Sequence, residues 1–350
     1  MGEKYVETVL GRAKASELGI TLTHEHLALD FDKFYVPAPQ LLEEFVGDKI
    51  NLKNVGVLKQ YPYSSRYNVR FNDADSASAI LEDVRFYKKS GGGTIVENTS
   101  HGIKRDLPLM QRASRESGIH VIAGTGHYVA LTQDASALAA TEEQMYNLMS
   151  QELTVGCEGC PSVKAGFVGE VGSAWPIEDF ERRAIRATAQ VQEQLRCPVS
   201  FHPGRDPAAP FEIMRIYLEA GGNASKAVMS HLDRTLLRNE DLLEFAQLGS
   251  YCQHDLFGVE CSYYQLHTPT DMPSDAQRID RMGLLKDEGK LASILMSHDI
   301  HTKHRLMSFG GHGYAHIVNN VLPKMLLKGF TQREIDTITI GNPKAWLSFD

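Results

Sequence analysis

The 350-residue chain lacks an apolar run long enough to span a bilayer. It also lacks an N-terminal apolar segment with a small-residue cleavage site, so cytoplasmic residence is the expectation. Cysteine is scarce: Cys157, Cys160, Cys197, Cys252 and Cys261 form an odd, sparse set that suits reduced thiols better than a disulfide framework. The one close pair, Cys157-Glu158-Gly159-Cys160, has no second pair or suitably spaced histidines to complete a structural zinc site. Positive charge is not in excess either. Thirty-six Lys and Arg against 44 Asp and Glu leave a formal charge of −8, which argues against nucleic acid or an anionic membrane as partner. The triple glycine Gly91-Gly92-Gly93 precedes a strand and no Lys-Ser or Lys-Thr follows it, so it is not a phosphate loop. With no internal repeat and no linker-like break in composition, residues 1–350 are expected to form a single domain.

Hydrophobic residues make up 42% of the chain, enough for a substantial core. The beginning reads as a short hairpin, Val6 to Leu10 turning through Gly11 and returning toward Ile20, Leu22 and His24. An irregular stretch over 31–72 follows, carrying Pro37, Pro39, Pro62, Gly47 and Gly56. Loops this long in compact domains are usually functional or disordered. Tyr61, Tyr63, Tyr67, Arg66 and Arg70 supply stacking and cationic groups, so a lid over a site is expected there.

Beyond it, helical spacing alternates with short β-rich runs. Helices are expected near Asp75 to Lys89, Arg105 to Ser117, Glu142 to Leu153, Ile177 to Leu195, Phe211 to Ala220, Leu236 to Leu248 and Ala276 to Lys290. Two more, Ala315 to Leu327 and Thr331 to Ile340, close the chain, the second started by a Thr331/Glu334 capping box. Strands are expected from Ile20 to His24, Thr94 to Glu97, His120 to Gly124, Ala165 to Val171, Cys197 to His202, Ala227 to His231, Tyr251 to Leu256 and Leu291 to Ser297. Eight such units imply a (β/α)8 TIM barrel of the α/β class, with an N-terminal hairpin and extra C-terminal helices, ahead of an open doubly wound sheet.

Barrel enzymes place their functional groups at the carboxyl ends of strands. Those ends carry His24 and His26 on strand 1, Glu170 on strand 4, His202 on strand 5, His231 on strand 6 and Asp299 on strand 8. His24 and His26 are two apart in a strand, so their rings point the same way and Glu25 points the other. One such pair means little, since 14 histidines produce about 0.6 by chance. Each of the six, taken singly, also suits an ordinary polar strand end or turn. As a set, four imidazoles and two carboxylates suit zinc and neighbouring divalent ions, and six groups exceed what one tetrahedral ion uses. Two ions sharing a carboxylate fit. His298 should face away, while His301, His304, His312 and His316 lie in the loop after strand 8, within reach of substrate.

The segments Thr23-His24-Glu25-His26, Gly169-Glu170-Val171-Gly172, His202-Pro203-Gly204-Arg205, Ser230-His231-Leu232-Asp233 and Ser297-His298-Asp299 closely resemble the phosphotriesterase family of the amidohydrolase superfamily, over nearly the whole chain. Thr94-Ile95-Val96-Glu97-Asn98-Thr99 and Ser297-His298-Asp299-Ile300-His301-Thr302-Lys303 look like one subgroup, the phosphotriesterase-related proteins of animals. The resemblance implies that His24, His26 and Asp299 hold one divalent ion, His202 and His231 a second, with zinc the expected metal and Glu170 bridging. Bacterial relatives put a carboxylated lysine where Glu170 stands. Hydrolysis is the implied chemistry, with Asp299 as the catalytic residue that moves a proton from water to the leaving group.

In mammals the subgroup is associated with hydrolysis of N-acetyltaurine to acetate and taurine. A sulfonate calls for guanidinium or ammonium partners, and the candidates are Arg205, Arg234 and Lys303, which follow strands 5, 6 and 8, with Arg66 from the lid. Each could instead pair with a neighbour such as Asp206 or Asp233. Tyr128, after strand 3, matches a tyrosine beside the metals of related lactonases and would orient the substrate carbonyl. The expected partner is a small anionic molecule, with no nucleic acid and no membrane; a homodimer is the oligomer considered. Two other readings fit the same residues: a promiscuous lactonase, esterase or phosphotriesterase, and a non-catalytic metal-binding scaffold.

Overall fold

The computed structural model describes residues 3–349. Eight strands form one sheet in chain order: β1 (Ile20–Glu25), β2 (Gly92–Glu97), β3 (His120–Thr125), β4 (Phe167–Gly172), β5 (Val199–His202), β6 (Ala227–Met229), β7 (Tyr251–His254) and β8 (Ile294–Met296). Each pairs in parallel with the next. Strand β8 and the residues after it meet β1 through scattered bonds, among them Thr23 Oγ1 donating to the Met296 carbonyl at 3.2 Å, His24 N–H to Ser297 Oγ at 3.0 Å and Asp299 N–H to the His24 carbonyl at 3.0 Å. The ring therefore closes at residues of the candidate site.

The crossovers are helices α1 (Ala74–Lys89), α2 (Leu107–Ser117), α3 (Glu142–Thr154), α4 (Asp179–Leu195), α5 (Ala209–Glu219), α6 (Asn239–Ala246) and α7 (Asp275–Asp287). Their starts are written in the sequence. Asp73 accepts from Ser76 N–H, Thr141 with Gln144 and Ser274 with Gln277 form capping boxes, and Pro108 sits in the first turn of α2. The Thr331/Glu334 box starts the short helix Gln332–Asp336 as expected.

Alternation along the strands builds two cores. Ile95, Val121 and Ala123 pack against the helices, whereas Val96, Ile122, Phe167, Val228 and Leu295 belong to a second cluster with Val6, Leu18 and Trp346. Trp346 meets Phe167 edge-on with ring centroids 5.8 Å apart, and burying a large side chain of this kind contributes roughly 1.5–3 kcal/mol. This apolar plug leaves the polar residues to the strands' carboxyl ends. The triple glycine reflects close approach: a Cβ on Gly92 would strike the Tyr87 ring, and one on Gly93 the Leu18 carbonyl.

The hairpin is shorter than expected. Tyr5–Thr8 pairs with Gly11–Lys14, and a helical turn at Ala15–Glu17 separates it from β1, whose residues take barrel partners instead. The stretch over 31–72 is not an irregular loop: it holds short helices Glu43–Val46, Val55–Gln60 and Arg66–Val69, and Arg70–Phe71 pairs antiparallel with Leu29–Asp30. Buried Leu58, Tyr63, Asn68, Val69 and Phe71 anchor it. Among the described residues no helix is long and apolar enough to cross a membrane.

Candidate metal centre

All six sequence-derived residues converge at the strands' carboxyl ends and are buried. Glu170 is central. Its Oε2 lies 2.8 Å from His202 Nδ1, 3.5 Å from His24 Nε2 and 3.6 Å from His231 Nε2; its Oε1 lies 3.6 Å from His26 Nε2. Asp299 Oδ1 stands 3.2 Å from His26 Nε2 and 3.8 Å from His24 Nε2. Two triads have ligand atoms all within 4.8 Å of one another, His24–Glu170–His231 and His24–His26–Asp299. His202 closes the ring differently, its Nδ1 standing 2.8 Å from His231 Nε2 and 2.8 Å from Glu170.

The donor set fits divalent ions on an independent observation. His24 Nε2 is a buried ring nitrogen with no hydrogen-bond partner, and it faces two carboxylates. The opposite ring nitrogens are engaged. Asp255 Oδ2 lies 2.9 Å from His24 Nδ1 and Asp255 Oδ1 lies 2.8 Å from His231 Nδ1, while Thr99 Oγ1 lies 2.9 Å from His26 Nδ1. Such outer partners fix the tautomer that leaves Nε2 free as a ligand. Burial opposes ionisation of Glu170, yet the charges of His202 and His24 and the hydrogen bonds of His202 and His231 hold it well below the usual carboxylate range. Asp299 is likewise held low against its burial, by His301 and His26. Burial brings His202 down to about 3, whereas Glu170 and Asp255 overcome burial at His24 and raise it.

A cavity of about 40 Å³ opens onto this cluster, lined among others by Phe31, Tyr63, Tyr128, Arg205, Arg234 and His301. Tyr128 Oη lies 3.3 Å from His202 Nε2. Arg205 Nε donates to Tyr264 Oη at 3.0 Å, and Arg234 donates to Thr235 Oγ1 at 3.1 Å and to the Pro203 carbonyl at 3.2 Å. The alternative pairing with Asp233 is not made, because Arg278 holds that carboxylate at 2.8 Å.

Two expected anion-binding residues stand elsewhere. Lys303 is buried, bonded to Asp73 at 2.5 Å and seated over the Tyr67 ring, because its helical turn aims it at the start of α1. Arg66 is half-exposed, paired with Asp32 at 2.8 Å and stacked on Tyr35. His298 does face away, its Nδ1 bonding Glu25 at 2.7 Å.

Asp255, directly after β7, belongs to the site without being among the residues expected from the sequence. The same strand-end rule points to it. Tyr63 was expected only as part of the 31–72 stretch, and Tyr264 carried no such signal, since both reach the site from long connections. His301 joins it directly: Nδ1 lies 3.2 Å from Asp299 Oδ1 and Nε2 lies 3.0 Å from Tyr63 Oη.

The phosphotriesterase family model matches residues 4–347. The chain belongs to the phosphotriesterase family. It is 54% identical over 346 residues to the phosphotriesterase-related protein of Drosophila pseudoobscura pseudoobscura, covering 99% of each chain, and 55% identical over 349 residues to that of Aedes aegypti, covering 98% of each. Among solved structures, a resiniferatoxin-binding protein from Rhodobacter sphaeroides superposes with a TM-score of 0.93 at 26% identity, covering 98% of this chain and 94% of its own. The phosphotriesterase homology protein of Escherichia coli, complexed with phosphate in its active site, gives 0.76 at 24% identity, covering 95% and 99%. Family membership and the buried His/Glu/Asp cluster together describe a metal-dependent hydrolase with a binuclear-type site.

Proposed function

We propose that this hydrolase cleaves the amide of N-acetyltaurine or a closely related N-acyl amino sulfonate or amino acid. Arg205 and Arg234 carry the reading: a partly buried and a fully buried guanidinium group line the cavity, and among the described residues neither has a carboxylate within ion-pair distance. A small anionic substrate supplies the missing charge, and the planar fork of arginine suits its oxygens. The cavity of about 40 Å³ beside Glu170 and Asp299 admits an acetyl-sized group. The amino sulfonate half exceeds that space, so binding of the whole substrate needs a wider cavity.

The residues that would hold two divalent ions, zinc first, are His24, His26, Glu170, His202, His231 and Asp299. When bound, such ions acidify water and polarise the scissile carbonyl. Asp299, kept ionised, accepts the proton of the attacking water and returns it to the departing nitrogen, which leaves poorly as an anion. Burial, reinforced by Glu170, keeps the Tyr128 phenol protonated, so its O–H is available to the acyl oxygen. Phe31, Phe34 and Tyr63 wall off bulk water.

The test compares N-acetyltaurine with N-acetylethylamine, which lacks the sulfonate, in the zinc-loaded protein and in Arg205→Met and Arg234→Met. Loss of one charged hydrogen bond is worth about 1.5–3 kcal/mol, so kcat/KM should fall roughly ten- to a hundredfold for the sulfonate and little for the neutral amide. Equal losses on both substrates reject the anion role. A lactonase or phosphotriesterase reading draws support from the phosphate in the Escherichia coli protein and from a structure described as organophosphate hydrolysis engineered from a weak promiscuous lactonase. Faster turnover of a lactone or organophosphate under the same metal loading selects that reading.

A further inference from the structure

Asp299 has a left-handed backbone, φ 53°, a conformation uncommon for residues with a Cβ. The peptide groups around it are gripped from two sides. His298 N–H donates to Glu25 Oε1 at 2.8 Å and Ile300 N–H to Glu25 Oε2 at 3.0 Å. Glu25 Oε1 also accepts from Ser297 Oγ at 2.7 Å and from His298 Nδ1 at 2.7 Å. On the carbonyl side the Arg305 guanidinium donates to Asp299 and to His298, and to Phe257 at 3.1 Å. Arg305 is buried, and among the described residues no carboxylate stands within ion-pair distance of it; its hydrogen bonds go to these carbonyls and to His312 at 3.4 Å. Glu25 is itself fully buried, in β1 between His24 and His26.

We infer that Glu25 and Arg305 are positioning residues that assemble the His24–His26–Asp299 half of the centre, an inference resting on the two-ion reading above. His24 lies on β1, His26 directly follows it and Asp299 follows β8, the pair of strands whose edges meet through scattered bonds rather than a ladder. Glu25 supplies the missing registration. It is rigidly linked along the chain to both histidines and grips the peptides on either side of Asp299. Arg305 then fixes the carbonyls, so the Asp299 carboxylate has one direction available, toward His26 and His24. No bond from Glu25 or Arg305 reaches Glu170, His202 or His231, so loss of either gripping residue acts first on the ion that His26 and Asp299 would hold.

The experiment uses full-length protein: wild type, Glu25→Gln, Arg305→Gln, Arg305→Lys and Asp299→Asn, each stripped with chelator and titrated with cobalt(II). Bound ions per chain, the visible cobalt spectrum and the melting temperature of the stripped protein are recorded. In Glu25→Gln one carboxylate oxygen becomes an NH2 that opposes a backbone N–H. The expected result is one ion bound as in wild type and one weakened tenfold or more, the same ion that Asp299→Asn weakens, with partial recovery in Arg305→Lys. Variants that bind both ions like wild type, weaken both equally, or all fail to fold overturn the inference; the last outcome assigns the two residues to barrel stability. A wild-type count below two refutes the two-ion reading by itself. The cradle is then judged by whether the variants weaken the ion that Asp299→Asn weakens.

Discussion

Replacing Asp255 with asparagine probes the outer support of the centre. Asp255 Oδ1 accepts from His231 Nδ1 at 2.8 Å and from His231 N–H at 3.0 Å; Oδ2 faces His24 Nδ1 at 2.9 Å and Gln253 Nε2 at 3.0 Å. An amide has one accepting oxygen, so in Asp255→Asn an NH2 must oppose a donor on one side. The affected imidazole then moves its proton to Nε2 and loses the lone pair that faces Glu170, or swings away. The residue is fully buried, so bulk water does not repair the mismatch. Losing an outer-shell partner of a ligand histidine lowers metal affinity about 10–100-fold, which is about 1.4–2.8 kcal/mol. Chelator competition with zinc on wild type and variant reads this directly, with a circular dichroism melt as the folding control. A folded variant whose zinc affinity and kcat both match wild type refutes the assigned role of Asp255.

Other substitutions separate chemistry from architecture. Asp299→Asn should remain folded and lose about 10²–10⁴-fold in kcat, the usual value of positioned acid–base catalysis; full activity removes Asp299 from proton transfer. Lys303→Ala should leave kcat/KM unchanged while lowering stability by about 1–3 kcal/mol in denaturant melts, since it breaks a charged bond to Asp73 away from the cavity; a large rise in KM would put Lys303 back in the site. Burial lifts the Asp83 carboxyl from 3.8 to about 7 despite the hydrogen bond from Met307 N–H. The folded protein therefore keeps a proton that the unfolded chain releases, and the associated stability is present below about pH 4 and lost as pH rises through about 7. Asp83→Asn, uncharged throughout, should raise the melting temperature at pH 8 and change it little at pH 4; parallel curves for the two proteins contradict this.

The barrel was legible because each layer writes its own period. Alternating residues such as Ile95 and Val96 separate the outer core from the plug, and the Thr331/Glu334 box marks a helix start. The six cluster residues were legible through one rule, that strand ends carry function. Less could be read where position depends on distant partners. Lys303 and Arg66 follow the right elements, yet Asp73 and Asp32, remote or near in sequence, capture their charges. The 31–72 stretch looks loop-like because its anchors are single residues; Asn68, for example, binds His304 N–H at 2.8 Å across 236 positions. Glu25 reads in sequence as the residue facing away from a histidine pair, and its grip on the Asp299 backbone exists only once β8 closes on β1.

Hydrolysis of N-acetyltaurine by zinc-loaded protein is the most direct measurement, run beside N-acetylated amino acids, a lactone and an organophosphate at identical metal content. Release of acetate and taurine with the highest kcat/KM of the set, abolished by chelator and by Asp299→Asn, is the predicted result. Absence of amide turnover in a protein carrying two ions per chain, or a lactone or phosphotriester as the preferred substrate, contradicts it.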